Sequence, residues 1–499
     1  MGVVARQTIK KSIVLLVGVV VATFSTLFIY PLNLSLYGNI QFLISAGALI
    51  APFATCGINA LPVRFFPEFN DEKSNHGFLG FLFLMMSLSL VVFLIMSLFI
   101  KKIGLHIIDW LGWSQDIFID NALIIFVLLS IAAFFGLVKA YLTNYQRVVV
   151  PAILNELLIK LLIPGVILLS VYTVWSDKNL TWLYVIAKGV GFLVLLLYTL
   201  RLGVFFIKID WSFLSRKRLT RMSEFALFGV LGTLGGVIAF RIDTVMVAGY
   251  TDFEKTGIYT IALYMANIII IPSQSILPLV GAQISQHHNS KSLDKIEELY
   301  KQTSLTLIII GLVLFIMIWF SLEDILSLTP RAEELISGKM VFFYIGIAKL
   351  IDMFFGINGA IITHGKYFRW NFLFILIMGA LTIATNLYFI PKIGFVGAAV
   401  ATMISLVLFN LIKFLFILFV YNIHPFKRST FLVILIGAIS ALVAYFIPSL
   451  DNELINIILK SSIILAVYAL PIYLLKISPD INREVDKVLL IVKRTILNR

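Results

Sequence analysis

Nine charged residues lie in segments that are otherwise continuously apolar, and they are the side chains best placed to do chemistry. They are Glu156, Lys160, Lys188, Arg241, Asp243, Lys349, Asp352, Lys413 and Lys460. An ionised group at bilayer depth costs about 2.5–3.5 kcal/mol on insertion scales, so it normally faces protein or a water-filled interior. Six of the nine are cations. A basic interior indicates an anionic passenger, whereas a cavity for cationic drugs is expected to lean acidic.

Arg241 and Asp243 are two residues apart on one predicted helix, so their side chains point about 200° from each other. They therefore cannot form a simple intrahelical ion pair, which requires a spacing of three or four residues. Each of the two needs its own partner or solvent. We interpret both as functional residues.

Two other pairs have the spacing that allows self-neutralisation. Glu156 and Lys160 are spaced i,i+4, and Lys349 and Asp352 are spaced i,i+3, so each pair can be satisfied along its own helix face. Two charges near the middle of a helix also suggest a wet cavity, and both interpretations stay open. Two lysines within about two or three turns of a helix end are interpreted as structural side chains that snorkel to the interface: Lys413 and Lys460.

The motifs of soluble enzymes are missing from the sequence. It contains no Walker or Rossmann glycine pattern and no HExxH, and the adjacent pair His287 and His288 lacks a convincing third ligand. The single cysteine, Cys56, cannot build a thiolate metal site. We therefore expect a protein that is not an enzyme and holds neither a metal nor an organic cofactor.

The composition shows what surrounds the charged residues. Of the 499 residues, 60% are hydrophobic and 13% are charged, whereas a soluble globular protein has about 25% charged residues. Too few charges remain to coat soluble domains, so the chain is an integral membrane protein. Continuously apolar runs such as residues 305–318 predict helices, since barrel strands alternate apolar and polar residues.

About fourteen transmembrane helices are predicted, because each crossing takes about 20 mostly apolar residues. The predicted spans are 12–36, 39–65, 77–101, 117–144, 150–175, 180–207, 222–250, 255–286, 300–322, 336–364, 367–390, 393–421, 429–448 and 454–475. The fold class is all-α integral membrane.

The Lys and Arg residues between the spans predict the orientation of the chain. With the N-terminus in the cytoplasm, 26 basic residues fall in inside segments and 7 in outside ones, as the positive-inside rule requires. Both termini are then cytoplasmic. The net charge of +13 therefore arises mainly from the basic residues that set the orientation. Because these residues are dispersed along the chain, no nucleic-acid partner is expected.

An internal repeat organises the predicted helices. Residues 133–143 align with residues 353–363 at an offset of 220, with Phe, Phe, Gly, Ala and Thr in common. This offset carries helix one onto helix seven, so the two halves form a parallel repeat, a recurring plan of transporters. The predicted organisation is an N-lobe (1–207), a basic linker (208–221), a C-lobe (222–421), two further helices (422–475) and a cytoplasmic amphipathic tail (476–499).

Two motifs resemble those of polysaccharide biosynthesis flippases. Residues 241–262 contain an Asp, an apolar run and then Gly-x-Tyr-x-x-Ala, similar to the family's junction of helices seven and eight. Residues 386–402 are similar to the family's proline- and glycine-containing turn between helices eleven and twelve. The chain thus resembles the O-antigen-type branch of the multidrug, oligosaccharidyl-lipid and polysaccharide exporter superfamily. The sister lipid II flippases carry charges in helix one, where this chain has none between Ser12 and Leu36.

The resemblance implies a flippase of the bacterial inner membrane that moves a polyprenyl-pyrophosphate-linked oligosaccharide by alternating access, for O-antigen or capsule synthesis. The expected partners are this lipid-linked substrate, membrane lipids and the polysaccharide assembly machinery. Asp243 and Asp352 are expected to orient cations or to carry a coupling proton or sodium ion. Four basic residues are expected to contact the pyrophosphate or an acidic sugar: Arg64, Lys160, Arg241 and Lys349.

Two alternatives remain open. A cation-coupled multidrug antiporter has the same fold, but typically has twelve spans and an acidic cavity. A membrane-embedded glycan polymerase or ligase needs a sizeable outside loop with several ionisable residues, and the loop at 321–339 is small for that role.

Overall fold

The computed structural model describes residues 17–71, 74–289 and 292–497. Every regular element in these residues is helical, and none of them belongs to a strand. In hydrocarbon only a helix or a closed barrel satisfies all backbone N–H and C=O groups. The membrane-spanning segments of so apolar a chain therefore adopt one of these two structures. The predicted all-α membrane architecture is confirmed.

The chain divides into two compact units, Met1–Thr260 and Ile261–Arg499. The helices that begin in the first unit are α1 (Val17–Phe28), α2 (Leu34–Thr55), α3 (Leu61–Phe69), α4 (Phe78–Trp110), α5 (Gln115–Thr143), α6 (Val149–Tyr172), α7 (Asp177–Arg201), α8 (Arg216–Tyr250) and α9 (Phe253–Asn267).

The second unit contains the remaining helices, including a five-residue helix at Ala332–Ile336. The longer ones are α10 (Ile271–Asn289), α11 (Leu293–Ser327), α12 (Lys339–Phe355), α13 (Asn358–His364), α14 (Phe368–Ile393), α15 (Phe395–Tyr421), α16 (Arg428–Tyr445), α17 (Glu453–Leu474) and α18 (Pro479–Leu497). The last of these occupies most of the predicted amphipathic tail.

Twelve helices in the described residues are long and apolar enough to cross a membrane, or thirteen if the pair Ala332–Phe355 and Asn358–His364, bent by 52°, counts as one span. The first predicted span, 12–36, begins outside the described residues, and the structure shows Val17–Phe28 as a shorter apolar helix. The predicted number of about fourteen is therefore not confirmed. From the second predicted span onward, each prediction overlaps an observed helix.

The first predicted break lies earlier than expected. A 3₁₀ turn at Tyr30–Asn33 has Pro31 in its first turn, and the Asn33 side chain accepts a hydrogen bond from the Leu36 backbone N–H at 2.9 Å. Asparagine at this position caps the free N–H groups of the new helix. The predicted span 12–36 therefore ends near residue 29, and α2 begins at Leu34.

The end of α2 is the second difference from prediction. The expected span runs to residue 65, but Cys56 (φ 47°) and Gly57 (φ 72°) are left-handed and end the helix, and the chain re-enters a helix in α3. A Cβ on Gly57 would lie 2.0 Å from the Ala226 carbonyl oxygen of α8. Only glycine tolerates both this backbone conformation and this approach.

A reciprocal glycine contact joins α2 to the start of α9. A Cβ on Gly38 would lie 1.8 Å from the Phe253 carbonyl oxygen, and a Cβ on Gly257 would lie 2.4 Å from the Leu34 carbonyl oxygen. Small residues at such crossings let helix backbones approach closely and gain van der Waals contact. Neither position has room for a side chain.

We expect Gly38→Ala to lower the stability of the detergent-solubilised protein by about 1–3 kcal/mol, since the methyl group forces backbone shifts. Thermal unfolding measures the effect. Gly47→Ala is the matched control on the same helix, because no atom lies within 4 Å of its Cβ position. Equal unfolding midpoints for the two variants would contradict the close crossing.

Candidate functional site

The membrane segment α6 contains the polar centre of the first unit. Residues Ile153–Leu157 form a π-helical turn within it, and π turns occur frequently at functional positions. This turn contains Asn155 and Glu156, and the Asn155 side-chain amide donates to the Glu156 carboxylate at 3.0 Å. Glu156 also interacts electrostatically with Lys188 of α7.

The pairing of Glu156 with Lys160, one of the two interpretations that their spacing left open, is not found among the ion pairs of the described residues. The π turn departs from the α-helical geometry on which the i,i+4 pairing rests. Lys160 extends instead along α1, where its Nζ lies 3.2 Å from the Cβ position of Gly18. The glycine leaves the space that the half-buried lysine side chain occupies.

A cavity of about 120 Å³ lies beside the π turn. Its polar lining comes from Asn155, Lys139 and Lys188, and its glycine lining from Gly136 and Gly191. Gly136 and Lys139 lie in the first copy of the internal repeat, where Gly136 is shared with the second copy and Lys139 is not. Two ammonium groups and one amide make it suited to an anion.

Arg241 and Asp243 of α8 have different surroundings, as their two-residue spacing predicts. Arg241 is exposed, whereas Asp243 is buried and accepts a hydrogen bond from the Tyr259 hydroxyl at 3.2 Å. Arg64 of α3 is exposed. The first unit therefore contains four of the six predicted site residues, of which Asp243 is buried and Lys160 half-buried.

In the second unit, Asp352 is held by a neighbouring helix. The Asn410 amide of α15 donates to the Asp352 carboxylate at 3.1 Å, and Asn410 in turn accepts from the Asn358 amide at 2.9 Å. Lys413, one turn beyond Asn410, interacts electrostatically with Asp352. Lys349 is buried one turn before Asp352 on α12.

The break between α12 and α13 positions Asn358, the first residue of α13, within this network. Gly356 has φ 62°, and a Cβ there would lie 1.9 Å from the Ser304 hydroxyl oxygen. The left-handed residue ends α12 and lets α13 start at Asn358 in a new direction. The break falls in the second copy of the internal repeat, at the position equivalent to Gly136, where α5 continues unbroken.

The snorkelling interpretation of Lys413 and Lys460 is wrong for both side chains. Lys413 is 8% exposed and its ammonium lies 3.8 Å from the centre of the Phe409 ring. Lys460 of α17 forms an ion pair with Asp324 of α11 at 2.6 Å, with both side chains 11% exposed. Packing gives Lys460 an ion pair with Asp324 and gives Lys413 an electrostatic interaction with Asp352, so neither ammonium needs to reach the interface.

Sequence reasoning placed the charges but missed several of their polar partners. Asn155, Asn358 and Asn410 complete the two clusters, and each is an amide within a strongly apolar helix. That contrast is the signal that could have identified them, because buried amides need hydrogen-bonding partners.

We expect Lys413→Met to destabilise the protein, because it removes the cation that interacts with Asp352 from the neighbouring helix and leaves only Lys349 on α12 itself. Adding Asp352→Asn should recover part of the loss, with a coupling of about 0.5–3 kcal/mol between the two positions. Thermal unfolding of the single and double variants measures this coupling. Strictly additive effects would show that the two groups do not interact.

The comparisons with known proteins agree with a transport fold. The family model MatE matches residues 231–366. No curated protein sequence matches the chain. The lipid II flippase MurJ, in an inward closed conformation, is similar in structure with a TM-score of 0.72 and 16% identity over 96% of this chain and 99% of that one.

A second solved structure is an inward-facing multidrug resistance MATE family transporter of the MOP superfamily. It aligns with a TM-score of 0.62 and 11% identity over 89% of this chain and 100% of that one. At these identities the similarity concerns the fold. The chain therefore has the fold of MOP-superfamily transporters, and the proteins compared are a flippase and a transporter rather than enzymes.

Proposed function

We propose that the protein is a flippase that moves a polyprenyl-pyrophosphate-linked oligosaccharide across the bacterial inner membrane by alternating access. The supporting observation is the set of lysines that are buried or line a cavity in each unit. The half-buried Lys188 and the exposed Lys139 line one cavity of the first unit, and Lys349 and Lys413 are buried in the second. Cations in low-dielectric surroundings make strong charge-assisted hydrogen bonds to phosphoryl oxygens.

In this proposal the basic residues bind the polar head of the passenger while its polyprenyl tail stays in lipid. Arg64, Lys160, Arg241 and Lys349 contact the pyrophosphate or an acidic sugar. Asp243 and Asp352 orient these cations or carry a coupling proton or sodium ion. The hydrogen bonds from Tyr259 to Asp243 and from Asn410 to Asp352 support an orienting role, since they hold each carboxylate in one position.

The lobes of the mechanism are the predicted ones, residues 1–207 and 222–421, joined by the basic linker 208–221 and followed by helices in 422–475 and the tail 476–499. The proposed setting is the inner membrane of a bacterium that makes O-antigen or capsule. The polysaccharide assembly machinery is the proposed partner there.

A cation-coupled multidrug antiporter is the second candidate, and the match to MatE over residues 231–366 favours it. Its passenger is cationic, so a carboxylate such as Asp243 would have to bind it. The balance of lysines over carboxylates in the membrane segments argues for the flippase. Deletion in the host separates the two: lipid-linked oligosaccharide accumulates on the cytoplasmic side if the flippase is lost, whereas unchanged surface glycan with altered drug sensitivity indicates the antiporter.

Replacing Arg241 or Lys349 by Ala should slow glycan export roughly ten-fold or more, because a hydrogen bond to a charged group contributes about 1.5–3 kcal/mol. Export is measured as surface glycan in the deletion strain carrying each variant at normal expression. Lys178→Ala is the control, since Lys178 is exposed in the first turn of α7. Full-rate export by both variants would refute the cationic interior as the binding site.

The proposed orientation places both termini in the cytoplasm. Fusions of alkaline phosphatase, which is active only outside the cytoplasm, should therefore be inactive after residues 215 and 499 and active after residue 175. The positive-inside bias gives the physical reason, since Lys and Arg clusters resist translocation. Activity of the fusion after residue 215 would reverse the orientation.

A further inference from the structure

An apolar groove of about 920 Å³ lies in the first unit between α2, α4 and the first four turns of α8. The early end of α2 opens it, because the left-handed residues Cys56 and Gly57 turn the chain away from the helix axis. Its walls include large apolar side chains that are uncovered, among them Phe53 and Leu227, which are 57% and 63% exposed. The groove is therefore open to whatever surrounds the helices.

The polar groups along the groove are already hydrogen-bonded. The Ser89 hydroxyl donates to the Ala54 carbonyl at 2.8 Å, the Thr220 hydroxyl to the Arg216 carbonyl at 3.1 Å, and the Ser223 hydroxyl to the Thr220 carbonyl at 2.9 Å. Because each of these hydroxyl protons is donated to a backbone carbonyl, none of the three hydroxyls has a donor left for a polar ligand. The interior of the groove is thus suited to a hydrocarbon chain.

Arg216, in the first turn of α8, is the one charged residue among the described residues that line the groove. Its neighbours Arg218 and Arg221 share the carboxylate of Glu68, at 3.8 and 2.8 Å. No carboxylate of the described residues lies within ion-pair distance of Arg216, which is exposed. One guanidinium at the mouth therefore remains available to an anion.

We propose that this groove binds one anionic phospholipid, with its phosphodiester on Arg216 and an acyl chain along α2 and α4. The match is one of charge and shape, since Arg216 is the one cation among the described residues that line the groove, and a phosphodiester carries one negative charge. In the predicted orientation Arg216 faces the cytoplasmic leaflet, where anionic lipids attract basic residues.

Cys56 provides the probe, because it is the only cysteine of the chain, lines the groove and is exposed. The full-length protein is labelled there with a bimane fluorophore and reconstituted into bilayers that contain dibrominated phosphatidylglycerol or dibrominated phosphatidylcholine. Bromine quenches the fluorophore only on contact, so quenching against lipid mole fraction gives the relative affinity of the groove for the two lipids.

The expected result is a preference for phosphatidylglycerol of roughly five-fold, the ratio that one basic residue near an anionic surface supplies. Arg216→Gln should abolish the preference and Arg216→Lys should retain it. Lys217→Gln is the matched control, because Lys217 is the adjacent exposed cation but does not line the groove. Thermal unfolding of each labelled variant verifies the fold.

Three outcomes overturn the proposal. Equal quenching by the two lipids in the labelled protein that retains Arg216 shows that the groove is filled without selection. Displacement of brominated phosphatidylglycerol by a few mole per cent of a polyprenyl phosphate, in preference to unbrominated phosphatidylglycerol, assigns the groove to the passenger's tail instead. Retention of the preference in Arg216→Gln likewise removes Arg216 from the site.

Discussion

The cost of leaving a charge alone in an apolar surrounding governs the interior of this protein. Each unit places compensating groups on neighbouring helices: Glu156 interacts electrostatically with Lys188, and Asp352 accepts a hydrogen bond from Asn410 and interacts electrostatically with Lys413. Burying one partner without the other would be strongly unfavourable. These pairs therefore fix the rotation of the helices that carry them, and the ion pair of Asp324 with Lys460 ties α17 to α11 in the same way.

Backbone N–H and C=O groups in an apolar surrounding also need partners. Three places where the backbone departs from an ideal helix each lie beside a cavity, a groove or a polar network. In the described residues, α6 contains a π turn at Ile153–Leu157, α2 ends at a pair of left-handed residues, and α12 breaks at Gly356. Irregular backbone is tolerated at membrane depth only where it is buried in protein or lines a cavity. The π turn adjoins a basic cavity, the break at Gly356 adjoins the Asp352 network, and the end of α2 opens the apolar groove.

Helix positions were largely predictable because a transmembrane helix is specified by local composition and length. The errors fall where tertiary contacts override an apolar run. The predicted span continues to residue 65, but the helix ends at the left-handed Gly57, which lies close to the Ala226 backbone. The bend at Gly356 was likewise invisible, since glycine in an apolar helix is as often a packing residue as a break.

The sequence by itself determined which charges lie in apolar segments, because their scarcity there makes each one visible. The apolar runs determined the all-helical class, and the same count gave the excess of cations over carboxylates in these segments. Only the tertiary structure decided the partners. Lys413 and Lys460 have the sequence positions of snorkelling lysines, yet both are buried beside carboxylates from other helices. Spacing along one helix limits a residue to that helix's own neighbours, whereas pairing between helices depends on their packing.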